Sequence, residues 1–429
     1  MTDAARAATV DSYKPKLAST FAEGYGLADL RKDAMAGLTV AVVALPLSMA
    51  IAMASGVPPE RGLYTAVIGG FLVSALGGSR FQIGGPAGAF IVLVAATVAK
   101  FGIEGLILTV FLSGLMLTLL GLFRVGSLVR KIPHAVTVGF TAGIAVIIFA
   151  SQLKDLLGLK LAGPEPGELG PKLVALAGAL PTFNAAALGL AAGVAAITLA
   201  VKRWRPTWPG MLAAVAGAAA VTALAGLPVE TIGSRFGGIP QGFPMPKAPE
   251  FSWALLVAVL PAALSFTVLG AIESLLSAVV ADGMTGRRHR SNMELVAQGI
   301  ANMGSALFGG VSVTGTIART ATNIRAGARS PIAGMLHAVF LLAFMLLAAP
   351  LASYVPLPAL AGVLALVAWN MAEKGELVRL MRGWRTAAVL VATFGVTVAH
   401  DLMAGIFAGC AVAALIYGWD RMMGRSPDN

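Results

Sequence analysis

Long apolar runs recur from residue 36 to residue 418 with almost no charge inside them, and they constrain this chain more than any other feature. A bilayer core about 30 Å thick takes about 20 apolar residues per helical crossing. Within it only helices and closed barrels satisfy their own backbone. With 57% hydrophobic and 12% charged residues in 429, the chain has room for roughly ten to fourteen crossings and little beside them. The composition is half as charged as that of a soluble domain, which carries about 25%, and it excludes the water-soluble enzyme classes. The expected fold is an all-α polytopic membrane protein.

Runs bounded by charges, Gly and Pro predict spans near 36–55, 62–78, 104–123, 134–153, 184–201 and 208–226, then 251–281, 293–309, 331–350, 353–372, 386–400 and 402–418. Two further stretches, 81–99 and 314–325, are membrane-like but irregular. Counting them gives about 14 segments, the irregular ones third in each group of seven. The basic residues test that count. With the N-terminus inside, Arg61, Lys100, Lys154, Lys160, Lys172, Arg235 and Lys247 fall outside, Arg319 falls within the membrane, and the other 23 of the 31 Lys and Arg fall inside. The positive-inside rule expects this asymmetry, so both termini are placed in the cytoplasm of an inner (plasma) membrane. The net charge of +11 is therefore a topology signal and implies no nucleic-acid partner. The parts are a cytoplasmic N-terminal segment 1–32, a first repeat 33–226, an extracytoplasmic loop 227–250, a second repeat 251–418 and a short cytoplasmic tail 419–429. The N-terminal segment lacks the apolar core of a signal peptide.

The two irregular stretches carry the functional signal. After Ile83-Gly84-Gly85-Pro86 the helix-compatible run is 87–99, and after Gly309-Gly310-Val311-Ser312-Val313 it is 314–324. Both are too short to cross as helices. Gly/Pro-interrupted segments at matching places in two halves point to seven-plus-seven inverted repeats with half-helix N-termini near the midplane. Those termini present partial positive charge, which suits an anion. The plainer alternative is a pair of re-entrant loops that only pack.

Ionisable residues inside spans are functional by default because lipid makes them costly. Glu273 lies nine residues before Asp282, about 13.5 Å along a helix and close to the midplane. Ser277, four residues on, shares its face. Glu273 is a candidate to load a proton or ligate Na⁺, or a static partner of Arg319. Arg319 sits one turn into the short helix expected from Thr316 and offers a fork to an oxyanion; alternatively it snorkels toward Arg325 and Arg329. His134, His289 and His400 cluster with no other ligand, so no metal is expected. His337 reads equally as a proton relay or a packed, hydrogen-bonded group. The run from Arg287 to Arg290 reads as a cytoplasmic anchor. Cys410 is the single cysteine, so there is no disulfide framework. With no phosphate-binding loop and no catalytic constellation, neither an enzyme nor a cofactor is expected.

Residues 33–39, 45–50, 56–64, 77–80 and 84–90, with Ala271-Ile272-Glu273-Ser274, Asp282-Gly283-Met284-Thr285-Gly286, 294–299, Ile317-Ala318-Arg319 and 325–328, together resemble the sulfate permease family over about residues 30–418. Within it the chain looks closest to the bacterial branch of proton-coupled C4-dicarboxylate carriers. The resemblance implies core and gate domains and an anion between the third and tenth spans, flanked by the first and eighth. It places Leu47, Ile51, Ala87, Thr316, Ala318 and Arg319 around the substrate, and Glu273 and Ser277 at the cation-coupling positions. Many relatives carry Gln where Leu47 stands, and most carry a cytoplasmic STAS domain after the last span, where this chain ends eleven residues past Gly418. The implied function is proton-coupled symport of fumarate or succinate by alternating access, with a small anion and H⁺ as partners and a homodimer as the implied assembly. The alternatives are sulfate or bicarbonate transport coupled to H⁺ or Na⁺, an uncoupled anion channel, and the nucleobase carriers that share the seven-plus-seven fold.

Overall fold

The computed structural model describes residues 13–126, 133–163, 165–166, 169–205, 208–240, 242–400 and 402–422. The first 12 residues of the N-terminal segment and most of the 419–429 tail lie outside them. The chain is mostly helical. Six helices among the described residues are long and apolar enough to cross a membrane: α2 (Leu27–Ala54), the run Gly88–Leu122 that contains α5 (Ile91–Leu122), α6 (His134–Leu157), α8 (Ala185–Trp204), α11 (Trp253–Thr285) and α14 (Ile332–Ala352). Twelve further helices are described. They are α1 (Lys16–Ala22), α3 (Pro59–Tyr64), α4 (Gly70–Leu76), α7 (Leu169–Gly178), α9 (Gly210–Ala225), α10 (Ile232–Phe236), α12 (Ser291–Leu307), α13 (Ile317–Arg325), α15 (Leu357–Met371), α16 (Lys374–Met381), α17 (Trp384–Ala399) and α18 (Leu402–Met422).

The first irregular stretch differs from its expected short helix. A single 3₁₀ turn, Gly88–Phe90, leads straight into the 32-residue α5. The boundary expected between the third and fourth segments shrinks to one residue, Gly102, whose φ of 68° breaks the helix without a loop. That left-handed φ is open to Gly at no steric cost, and one such residue kinks the helix where a charge-bounded loop was expected. The second stretch follows expectation: α13 is nine residues, starting after Thr316.

Non-helical backbone at membrane depth is tolerated only where protein groups bond it. Here the two irregular stretches bond each other. β1 (Gly84–Gly85) and β2 (Thr314–Gly315) pair antiparallel, Gly84 opposite Gly315 and Gly85 opposite Thr314. The approach to β2 is carried by side chains. Val311 N donates to Thr65 Oγ1 (2.7 Å), Val313 N donates to Asn302 Oδ1 (2.9 Å), and Asn302 Nδ2 donates to the Val313 carbonyl (2.8 Å). Thr65 opens a five-residue π-helical stretch that joins α3 to α4 without a break, so the second expected span is one helix carrying a π segment where it supports the approach to β2.

Contacts divide the helices into two compact units, each drawn from separated parts of the chain. One comprises residues 1–130 and 186–363, the other residues 131–185 and 364–429. In the first, α12 lies along α5, α14 along α2, and α11 along α5 and α13. Small residues let these helices approach: a Cβ built on Gly114 of α5 would stand 2.6 Å from the Gly299 carbonyl of α12. In the second unit α17 packs between α6 and α18, and Arg385 pairs with Asp420 at 2.8 Å.

The N-terminal helix α1 is pinned to the first unit. Lys16 N donates to the Gly77 carbonyl (2.9 Å), and Arg290 donates to the Lys14 carbonyl (2.6 Å) and to Ser19 Oγ (3.0 Å). Arg80 pairs with Glu23. The basic run read as a plain anchor is thus a docking post for the segment before α2. Burial, with the Arg290 and Arg80 charges beside it, lowers the Lys16 amine to about 8.

Candidate functional site

Each strand of the two-residue pair leads into a helix: β1 into the 3₁₀ turn and α5, and β2 into α13. Antiparallel strands send their following helices in opposite directions, so the two N-termini face one another across the pair. The first turn of a helix has N–H groups without intrahelical acceptors, and each terminus carries about half a positive charge. Both positive ends therefore converge on one place. The junction is locked by further bonds: Thr316 N and Oγ1 donate to the Ile83 carbonyl (3.0 and 3.1 Å), Ile83 N donates to Thr320 Oγ1 (3.1 Å), and Asn323 Nδ2 donates to the Phe81 carbonyl (2.9 Å).

Arg319 adds a full charge to this ground. It is 2% exposed and donates from Nη2 to Ser48 Oγ of α2 (3.2 Å) and to the Pro86 carbonyl (3.3 Å). Its Nε and Nη1 are buried with no hydrogen-bond partner. The guanidinium is tucked under β1, where a Cβ on Gly85 would collide with Nη1. Snorkelling toward Arg325 and Arg329 is ruled out by this burial. Ala318, the neighbouring residue, is exposed and Thr316 is half-buried, so the helix turns Ala318 outward and the Arg319 head inward. Leu47, Ile51 and Ala87 are buried, Leu47 on the residue before the Arg319 partner Ser48.

Glu273 and Ser277 come to the same junction along α11. Thr314 Oγ1 approaches the Gly270 carbonyl at 3.5 Å, Gln82 Nε2 donates to Ser274 Oγ at 2.9 Å, and Ser277 Oγ lies 3.2 Å from Thr320 Oγ1. Positions 270, 274 and 277 form one helix face, and Glu273, buried, flanks it about 40° round the helix from Ser277. His337 is fully buried and neither ring nitrogen has a hydrogen-bond partner, which removes the hydrogen-bonded packing reading. His289 bonds Asp282 (2.6 Å) and Ser291 (2.9 Å), and His134 bonds Glu376 (3.2 Å).

Sequence reasoning missed Ser48, Gln82, Ser274 and Thr320. Ser48 carries no signal beyond its place beside Leu47. Thr320 had one: it follows Arg319 and sits four residues after Thr316, one helical turn along the same short helix.

A helical, membrane-crossing protein whose first unit gathers two positive helix ends and a buried cation is of the anion-transporter class in its architecture. The model of the sulfate permease family matches residues 30–394, and the chain belongs to that family. It is 44% identical over 92% of its length to "Putative sulfate transporter YvdB" of Bacillus subtilis, covering 75% of that protein. It is 32% identical over 90% of its length to the bicarbonate transporter BicA of a Picosynechococcus species, covering 70% of it. The solved transmembrane domain of a cyanobacterial BicA superposes with a TM-score of 0.79 at 32% identity, over 89% of this chain and 98% of that one. The structure of SLC26A9 shares the fold at 20% identity, with a TM-score of 0.86 over 98% of this chain and 70% of that one.

Proposed function

We propose that this chain is a secondary active transporter of a small oxyanion, sulfate or bicarbonate, bound where the N-termini after β1 and β2 meet. The observation that carries the reading is the antiparallel β1–β2 pair, which sets two positive helix ends face to face beside a buried arginine with two unpaired donors. The C4-dicarboxylate expectation gives way to its sulfate-or-bicarbonate alternative. The relatives are named for sulfate and bicarbonate.

In this proposal Leu47, Ile51, Ala87, Thr316 and Ala318 shape the anion site, Arg319 supplies fixed charge behind it, and Glu273 with Ser277 couples a cation. Thr320 Oγ1, 3.2 Å from Ser277 Oγ, adds a second hydroxyl oxygen on that side, so the coupled cation is H⁺ or Na⁺. Fourteen segments as seven-plus-seven inverted repeats, with the boundaries at 33–226 and 251–418, termini in the cytoplasm and a homodimer complete the proposal.

The test is uptake by the full chain in proteoliposomes, with labelled sulfate, bicarbonate and fumarate, and with the pH and Na⁺ gradients varied separately. Saturable sulfate or bicarbonate uptake driven by one of the two gradients is expected. Uptake of fumarate alone would overturn the substrate. Non-saturating flux indifferent to both gradients would replace the carrier by a channel.

A further inference from the structure

A cavity of about 480 Å³ lies in the first unit, at the C-terminal end of α13 and the start of α2, and is lined by Lys32, Met35, Phe81, Thr285, Arg287, residues 326–328 and Arg329. Its size is that of a small-molecule site. Three of its lining side chains are cationic and none is acidic. Lys32, Arg287 and Arg329 are all exposed.

The carboxylates near it are already engaged. Asp33, fully buried, accepts from Arg329 N (2.6 Å), Ser330 N (3.2 Å), Ser330 Oγ (2.5 Å) and Tyr25 OH (2.9 Å). Those bonds hold the backbone of the turn that presents the Arg329 side chain. Gly327 opens that turn with a φ of 92°, a left-handed value that suits Gly. Glu23 is shared between Arg80 and Arg287, the latter a loose pair at 3.6 Å between half-exposed side chains. The rim is therefore preformed and positive, with no carboxylate among the lining residues.

The floor is apolar. Phe81 and Ala328 belong to a buried cluster with Ala36, Ala281 and Ala333. Met35, 63% exposed, forms one shoulder of the mouth, and Leu38, one turn along the same face of α2, is exposed too. At the end of α11, Val280 and Met284 are also exposed. Helix α2 has 28 residues, about 42 Å of helix. That exceeds a 30 Å hydrocarbon core, so its first turns reach headgroup depth.

We infer that this cavity is a binding site for the headgroup of an anionic phospholipid, its phosphodiester held by Lys32, Arg287 and Arg329 and its acyl chains laid on Met35 and Leu38. Charge complementarity selects an anion, and the apolar shoulders beside a cationic pocket select an amphiphile over a free ion. Basic pockets between transmembrane helices recognise anionic headgroups in this way.

The test uses the purified full chain in neutral detergent, with native mass spectrometry and thermal unfolding during titration with phosphatidylglycerol, phosphatidylcholine or glycerol 3-phosphate. Phosphatidylglycerol is expected to stay bound and to raise the unfolding midpoint, and the other two are not. Each removed charge weakens the lipid by about fivefold, so Lys32→Gln with Arg329→Gln shifts its half-saturation by roughly 30-fold. Arg382→Gln, at an exposed residue outside the cavity, leaves it unchanged. If the double variant does not fold, Arg287→Gln alone, at a side chain 53% exposed, carries the same test. An undiminished response in the cavity variants, or equal protection by phosphatidylcholine, would overturn the site. Equal protection by glycerol 3-phosphate would overturn the lipid in favour of a soluble phosphate.

Discussion

Replacing Arg319 by Met separates an anion-binding arginine from a structural one. The guanidinium is 2% exposed and makes two long hydrogen bonds, 3.2 Å to Ser48 Oγ and 3.3 Å to the Pro86 carbonyl. From a charged donor at these long distances, each is worth about 1.5 kcal/mol net. Against that loss stands the removal of a buried cation, because exchanging buried charge for an apolar side chain of similar volume is often neutral or stabilising by about 1–4 kcal/mol. The thermal midpoint of Arg319→Met is therefore expected at or above that of the wild type. Anion affinity should move the other way. A charge-assisted bond to the substrate contributes about 1.5–3 kcal/mol, which corresponds to roughly 13- to 160-fold in Kd. Calorimetric titration with sulfate and with bicarbonate, beside an unfolding curve for each variant, reads both quantities. A lower midpoint with unchanged affinity would refute the reasoning and leave Arg319 as a clamp between α2 and β1.

Glu273→Gln should retain anion binding and exchange but lose gradient-driven accumulation, because the neutral amide can neither release a proton nor balance a bound cation; accumulation at the wild-type level in proteoliposomes would sink the coupling role. Asp33→Ala strands the buried donors of Arg329, Ser330 and Tyr25 and is expected to cost about 3 kcal/mol, read as a lower unfolding midpoint in detergent. Lys16 has a folded-state value of about 8, below its ordinary 10.5. The fold therefore disfavours its charged form, the unfolded chain binds the extra proton between those values, and stability recovers as pH rises through that window. Lys16→Met should flatten this rise and lift the midpoint at pH 7, and an unchanged pH profile would show that the amine does not titrate in the docked helix.

The membrane character and the two interrupted segments were legible in the sequence because both are local signals, the first in apolar runs and the second in Ile83-Gly84-Gly85-Pro86 and the Gly309–Val313 stretch. The pairing of those segments was not. Strands of two residues, three of the four being Gly, show no alternation, and the partners stand 229 and 231 positions apart. Gly102 was hidden for a different reason: a loop announces itself by several polar or turn-forming residues, whereas one left-handed Gly needs none. For Arg319, spacing placed the residue one turn into its helix but could not say which side of that helix is the interior. The inward side is set by Ser48 and Pro86, both more than two hundred residues away. The lipid-like cavity shows the same limit, since Lys32, Arg287 and Arg329 read separately as ordinary flanking charges.

The two-residue strands have an evolutionary consequence. Geometry at the junction is set by main-chain pairing of Gly84, Gly85, Thr314 and Gly315, while Ala87 and Ala318 contribute only methyl groups beside it. In the site proposed above, a change of side chain at 87, 316 or 318 would therefore retune the size and polarity of what is accepted without displacing the two helix ends. A lineage can drift from one oxyanion to another by single substitutions while its scaffold stays recognisable, and relatives named for sulfate and for bicarbonate are what such a main-chain-built cradle would be expected to leave behind.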